Sequence, residues 1–131
     1  MIKKNMILVI DIDGTLCPIK KNYESYTSII PFKEIVNKLI ELRSLGWYII
    51  LHSARGMASK DGNIGKINAE VLPDLLNWLK KNKIPYDEIH VAKPWPGNKG
   101  FYVDDRSVRP KEFLNMTFDQ LEEICSNDRL K

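Results

Sequence analysis

A chain of 131 residues, 44% hydrophobic and 28% charged, has room for one folded domain and the composition of an ordinary globular protein, which excludes disorder and fibrous repeats. Lys and Arg number 20 against 17 Asp and Glu. The basic runs are pairs such as Lys3-Lys4, Lys20-Lys21 and Lys80-Lys81, so the net charge of +3 asks for no polyanionic partner and nucleic acid is not expected.

Taken in chain order, Met6 to Ile10 is a continuous branched apolar run, as a strand buried on both faces would be. Met6 to Ile12 is too short for a membrane span or a secretory signal, so the expectation is a cytoplasmic protein with no membrane partner. Pro31 is expected to open a helix whose Ile35, Val36, Leu39 and Ile40 share a face, with Gly46 as its stop. Tyr48 to Leu51 reads as a second strand. Asn68 to Asn82 reads as a helix carrying Val71, Leu72, Leu75, Leu76 and Leu79, starting near Leu72 or kinked there by Pro73. Glu88 to Val91 and Phe101 to Val103 are a third and a fourth strand, and Thr117 with Gln120 forms a capping box for a last helix. This alternation predicts a single α/β domain over residues 1–131, with a mainly parallel sheet flanked by helices and a ligand site at the carboxyl ends of the strands.

The residues after each strand are chemically alike. Asp11 and Asp13 follow the first, Ser53 and Arg55 the second, Lys93 the third, and Asp104, Asp105 and Arg106 the fourth. Four carboxylates crowded at one edge repel one another unless a cation neutralises them, and a hard divalent ion such as Mg²⁺ suits oxygen ligands. Ser53, Arg55 and Lys93 suit phosphoryl oxygens. A carboxylate nucleophile, a second carboxylate for proton transfer and a cation make a phosphoryl-transfer site. Cys17 and Cys125 lie far apart without CxxC spacing, so they read as reduced thiols rather than metal ligands.

Asp11-Ile-Asp-Gly-Thr-Leu16 resembles the first motif of the haloacid dehalogenase superfamily, DxDGT. Ile50-Leu-His-Ser53, Lys93 in Ala92-Lys-Pro94, and Tyr102-Val-Asp-Asp105 resemble its second, third and fourth. A narrower resemblance, to small phosphatases of bacterial capsule and surface-polysaccharide biosynthesis, rests on Gly62-Asn-Ile-Gly-Lys-Ile67, Ile84-Pro-Tyr-Asp87, Lys93-Pro-Trp95 and Phe101-Tyr-Val-Asp-Asp-Arg106. Ala92 departs from it, where Gly is expected before the Lys. The resemblance implies a three-layer, Rossmann-like core. Leu16 to Pro31 and Ser53 to Glu88 hold only loops and one helix by pattern, so no cap domain is expected.

The same resemblance implies roles. Asp11 attacks phosphorus. Asp13 protonates the leaving group, activates water and gives Mg²⁺ its main-chain carbonyl. Ser53 and Lys93 hold the phosphoryl group, and Asp105 is a metal ligand, with Asp104 as the alternative. Arg55 binds phosphate or the rest of the substrate; its spacing from Ser53 also occurs in polynucleotide 3′-phosphatases of the superfamily. Arg106 either pairs with the acidic residues or contacts substrate. Trp95 walls the pocket or packs its loop, and residues 57–65 form a loop over the site or an idle one. His52, Trp47 and Trp78 read as packing residues, His90 as a strand residue, and Gly14 and Thr15 as shaping the turn and fixing Asp13.

The function expected is a Mg²⁺-dependent hydrolase acting on a small phosphorylated metabolite, a sugar phosphate or three-carbon polyol or amino-polyol phosphate. It would work through an aspartyl-phosphate in capsule or surface-polysaccharide biosynthesis. The alternatives are a nucleotide or polynucleotide 3′-phosphatase and a non-catalytic binding module of the same fold. A site with no cap is expected to be covered by the 57–65 loop or by a second copy in a homo-oligomer.

Overall fold

The branched runs become parallel strands. The computed structural model describes residues 6–131, and the Lys3-Lys4 pair lies outside the described residues. Strands β1 (Ile7–Asp11), β2 (Tyr48–His52) and β3 (Glu88–His90) form a parallel sheet in the order β1-β2-β3. The register sets Asp11 beside His52 and His52 beside His90, so all three carboxyl ends meet at one edge. The chain divides into two compact units, one ending at Trp95 and one running from Pro96 to Lys131.

Parallel neighbours need a crossover, and helices supply it. Helix α1 (Lys33–Ser44) joins β1 to β2 and buries Ile35, Leu39 and Leu42. Pro31 does not open it. Phe32 is its N-cap, with an extended backbone, and the Phe32 N–H is spent on the Leu16 carbonyl at 2.8 Å. The buried stripe also differs from the expected one: Ile40 is 51% exposed, and Leu42 takes its place inside. Gly46, at φ +94, follows the last turn and supplies the left-handed residue that ends it.

Between β2 and β3 one helical run holds α2 (Ile64–Lys66), a π-helical turn (Ile67–Val71) and α3 (Leu72–Lys81). The α3 segment starts at Leu72, as the sequence suggests, and Pro73 does not break it. The proline falls in the first turn of α3, where its missing N–H is not needed, and the wider π turn carries the chain into it. Ile67, Leu75, Trp78 and Leu79 are buried.

The expectation of strands buried on both faces is corrected. Ile10, Ile49 and Leu51 are buried, but Ile7 and Val9, on the alternate face of β1, are exposed. Both faces of this run are apolar, so the sequence carries no period-2 signal to tell them apart.

In the second unit, α4 (Pro110–Asn115) and α5 (Phe118–Asp128) bury Phe113 and Leu121. Thr117 and Gln120 form the expected capping box of α5, while α4 was not anticipated. The expected fourth strand is absent among the described residues. Phe101, Tyr102 and Val103 are exposed at 87%, 53% and 97%, and β propensity does not hold three residues as a strand without a partner ladder. Among the described residues no helix is long and apolar enough to cross a membrane.

Candidate active site

The turn after β1 is wound around one carbonyl. Thr15, Leu16 and Cys17 all donate their N–H groups to the Ile12 oxygen, and Gly14 donates to the Cys17 oxygen at 2.8 Å. Gly14 has φ +90, which a side chain would strain. This winding presents Asp11 and Asp13 at the sheet edge. Thr15 Oγ1 donates to Asp11 Oδ2 at 3.2 Å, so Thr15 fixes Asp11, not Asp13. The Cys17 thiol lies 3.7 Å from Asp13 Oδ1. Burial first, and then the Asp13 charge, pushes that thiol up to about 12, so it stays protonated.

Past β2 the ladder runs on by one residue. Ser53 donates its N–H to the His90 oxygen at 2.9 Å, and its own carbonyl accepts from Lys93 N–H at 3.1 Å. Ser53 is buried, and its Oγ accepts the Arg55 N–H at 3.0 Å. Ala92 is left-handed, at φ +65, which explains why the pattern calls for Gly there. The turn it makes directs Lys93 back to the edge, with Nζ 3.4 Å from Asp11 Oδ1.

Arg55 is only 7% exposed. Its Nε and Nη2 donate to the two Asp13 oxygens at 3.1 and 2.7 Å, a fork-to-fork pair. Its guanidinium carbon stands 3.9 Å from the centre of the Tyr26 ring, and burial first raises the Tyr26 hydroxyl above its ordinary pKa, with Asp13 adding to the effect. Asp11 and Asp13 thus each have a cation of their own, Lys93 for Asp11 and Arg55 for Asp13.

His52 stands beside Asp11 in the register and His90 beside His52, their rings edge to face at 6.3 Å. Burial, then Lys93 and His90, lowers the His52 pKa against the pull of Asp11. His90 also bonds Glu88, which accepts from the Tyr48 hydroxyl. Both histidines are strand residues, as expected.

Asp104, Asp105 and Arg106 belong to the second unit. Asp104 Oδ1 accepts the Arg106 N–H at 2.9 Å. The guanidinium on Asp105 belongs to Arg129 rather than Arg106, and its hydrogen bond holds the Asp105 carboxyl below the usual range. Trp95, the last residue of the first unit, is 47% exposed. Among the described residues no group of three or more His, Cys, Asp or Glu is placed to hold a metal ion.

A cavity of about 220 Å³ adjoins Arg55, lined among others by Tyr26, Ser59, Val71, Asp74 and Trp78. Trp95 is not part of its wall. Residues 57–63 fold into successive turns, with Lys60 N–H on the Gly56 oxygen and Gly62 N–H on the Met57 oxygen, while Ile64 and Gly65 already belong to α2. Sequence reasoning missed Tyr26 and the second role of Trp78. Helical spacing marks Trp78 as core, which it is, and nothing local says that its ring also borders a cavity.

Neither the family models nor the curated proteins contain a match to this chain. Among solved structures, a structural-genomics target protein from Vibrio cholerae is 40% identical, with a TM-score of 0.88 over 95% of this chain and 99% of that one. The chain belongs to the same family as that Vibrio cholerae protein.

Proposed function

We propose that this protein is a Mg²⁺-dependent phosphomonoesterase of the haloacid dehalogenase superfamily, with no cap domain, hydrolysing a small phosphorylated metabolite through an aspartyl-phosphate on Asp11. The observation that carries the reading is the pair of matched carboxylates at one sheet edge, Asp11 with Lys93 and Asp13 with Arg55, beside the buried Ser53 hydroxyl.

The chemistry follows from these groups. An Asp11 carboxylate oxygen attacks phosphorus, forming a P–O bond while the bond to the leaving alkoxide breaks. Asp13, released from Arg55 and protonated by solvent, donates that proton to the alkoxide. As a carboxylate, Asp13 then takes a proton from water, whose oxygen attacks phosphorus and releases phosphate and Asp11. Lys93 and the Ser53 hydroxyl hold phosphoryl oxygens through both steps. Thr15 keeps Asp11 aimed by binding its second oxygen. Both Asp13 oxygens are held by Arg55 in the present arrangement. A phosphoryl group offers that fork an equivalent bidentate partner, so substrate binding frees an Asp13 oxygen for proton transfer.

The first unit's donors, the Asp11 carboxylate and the Asp13 main-chain oxygen, suit a hard cation. Bound there, Mg²⁺ supplies charge neutralisation that lets an anionic nucleophile approach an anionic ester. The same reading has the enzyme acting in the cytoplasm in capsule or surface-polysaccharide synthesis, as a homo-oligomer. Phosphate release from a panel of phosphoesters tests it. Turnover with Mg²⁺, lost in EDTA and restored by added Mg²⁺, is expected; full turnover in metal-free buffer contradicts the mechanism.

A further inference from the structure

Arg55 is held twice. Its Nε and Nη2 fork onto the two Asp13 oxygens at 3.1 and 2.7 Å. Its guanidinium carbon lies over the face of the Tyr26 ring at 3.9 Å. A ring face attracts the cation as a whole and uses none of the N–H groups in the fork, so the two contacts do not compete. Arg55 is only 7% exposed, so bulk water weakens neither attraction as it would at the surface.

The ring does not depend on Arg55 for its place. Tyr26 opens the 3₁₀ turn Tyr26–Ser28, and a turn of three residues has little stability of its own. Both of its ends are tied down. Ser25 Oγ accepts the Thr27 N–H at 3.3 Å, and Ser28 Oγ donates to the Ser25 oxygen at 2.8 Å. The next residue, Ile29, is buried, and its oxygen accepts Trp78 Nε1–H at 2.8 Å. Trp78 is itself buried on α3, so the turn is fixed to the core. Three residues further on, the Phe32 N–H donates to the Leu16 oxygen, which ties the same segment to the turn that carries Asp13. The chain thus sets an anchored aromatic face against the cation of the site.

We infer that Tyr26 is the positioning residue for Arg55, its ring keeping the guanidinium in place while the fork passes from Asp13 to the phosphoryl group. The inference rests on the phosphatase reading and adds to it a residue that acts on phosphate only through Arg55. In the free protein Asp13 holds the fork, and the ring is a second restraint. Once a phosphoryl group takes over the fork, Asp13 lets go at least in part, and the ring becomes the fixed partner that stops the long side chain from swinging away with its new anion. The ring therefore contributes most when phosphate is bound, and its loss weakens binding of the ester and of inorganic phosphate alike. Phenylalanine offers the same face, whereas leucine offers none.

The test measures kcat and KM for p-nitrophenyl phosphate, and Ki for inorganic phosphate, with Mg²⁺ in wild type, Tyr26→Phe, Tyr26→Leu, Arg55→Gln and the double variant Tyr26→Leu with Arg55→Gln. Tyr26→Leu is expected to raise KM and Ki together by about 3- to 30-fold, with a smaller change in kcat, and Tyr26→Phe to stay within twofold of wild type. In the Arg55→Gln background Tyr26→Leu is expected to change neither constant further. Wild-type constants in Tyr26→Leu, a loss in Tyr26→Phe as large as in Tyr26→Leu, or the same loss with and without Arg55 overturns the inference. If Tyr26→Leu does not fold, Tyr26→Met is read in its place. If wild type hydrolyses no ester, the phosphatase reading fails separately, and NMR of the Arg55 guanidinium decides the positioning role. Hindered rotation about Nε–Cζ in wild type and Tyr26→Phe, released in Tyr26→Leu, supports it; free rotation in wild type, or hindrance unchanged in Tyr26→Leu, overturns it.

Discussion

Arg55 brings a charge into a nearly closed environment and is matched there by a carboxylate fork and a stacked ring. Lysine keeps the charge but loses the fork and the flat face. Arg55→Lys is expected to lower stability by about 1.5–3 kcal/mol, the range for hydrogen bonds to charged groups, read from denaturant unfolding, and to raise KM for the phosphoester. The pair also fixes the sign of a second change. Crowded carboxylates alone suggest that Asp13→Asn relieves repulsion and holds or raises stability. With Arg55 bound to both oxygens, the neutral side chain instead leaves a buried guanidinium short of its counter-charge, and the melting temperature is expected to fall. Turnover should drop by about 100- to 10,000-fold, as for loss of a general acid–base group. Ala92 illustrates what was readable at this scale. The missing Gly before Lys93 was visible in the sequence, and its cause, a left-handed backbone, is visible only in the fold. Ala92→Gly is expected to leave the site intact and to raise stability by up to about 1 kcal/mol, the left-handed penalty less the entropy of Gly. The Arg55–Asp13 pair was not legible at all, because partners 42 residues apart share no local pattern.

At the scale of elements, close approach and loop anchoring decide the geometry. Gly56→Ala places a methyl group 2.9 Å from Val71 Cγ2 at a positive φ, so thermal unfolding is expected to show a loss of about 1–3 kcal/mol. An unaltered melting temperature would mean that the π turn gives way freely. Asp87 anchors the entry to β3: its Oδ2 accepts Ile49 N–H at 2.8 Å, and Arg43 donates to Oδ1. Burial pushes this carboxyl up, but the Ile49 N–H and Arg43 outweigh it, and its pKa lies below the ordinary value. A depressed folded pKa means stability present above the unfolded pKa and lost as pH falls through the folded one. Stability should therefore decline below about pH 4, and less steeply in Asp87→Asn, which is measured by unfolding across that range. The strands and α1 were legible from branched runs and helical spacing. The start at Leu72 was legible from Pro73; the π turn ahead of it was not, because a π turn has no sequence signature, and the fourth strand was not, because Phe101 to Val103 has strand composition without a ladder.

For the molecule as a whole, parallel strands in register turn scattered motifs into one constellation: Asp11, Asp13, Ser53, Arg55 and Lys93 come together although they span 82 residues between Asp11 and Lys93. That convergence was legible, because a parallel sheet brings all its carboxyl ends to one edge. The cavity beside Arg55 was not, since its walls come from three segments that no motif links. The segment 57–63, which places Ser59 in the lining of that cavity, belongs to this scale too. Replacing Ala58-Ser-Lys-Asp-Gly62 with a short Gly-Ser turn removes Ser59 and the Lys60–Glu70 tie, and should reduce small-ester turnover more than it shifts the melting temperature. The central claim is that phosphorus passes through Asp11. Rapid-quench mass spectrometry during turnover of a reactive phosphoester with Mg²⁺ tests it most directly. A phosphoryl adduct that maps to Asp11 and is absent from Asp11→Asn is the predicted result. Wild-type turnover by Asp11→Asn, or an adduct on another residue, would contradict it.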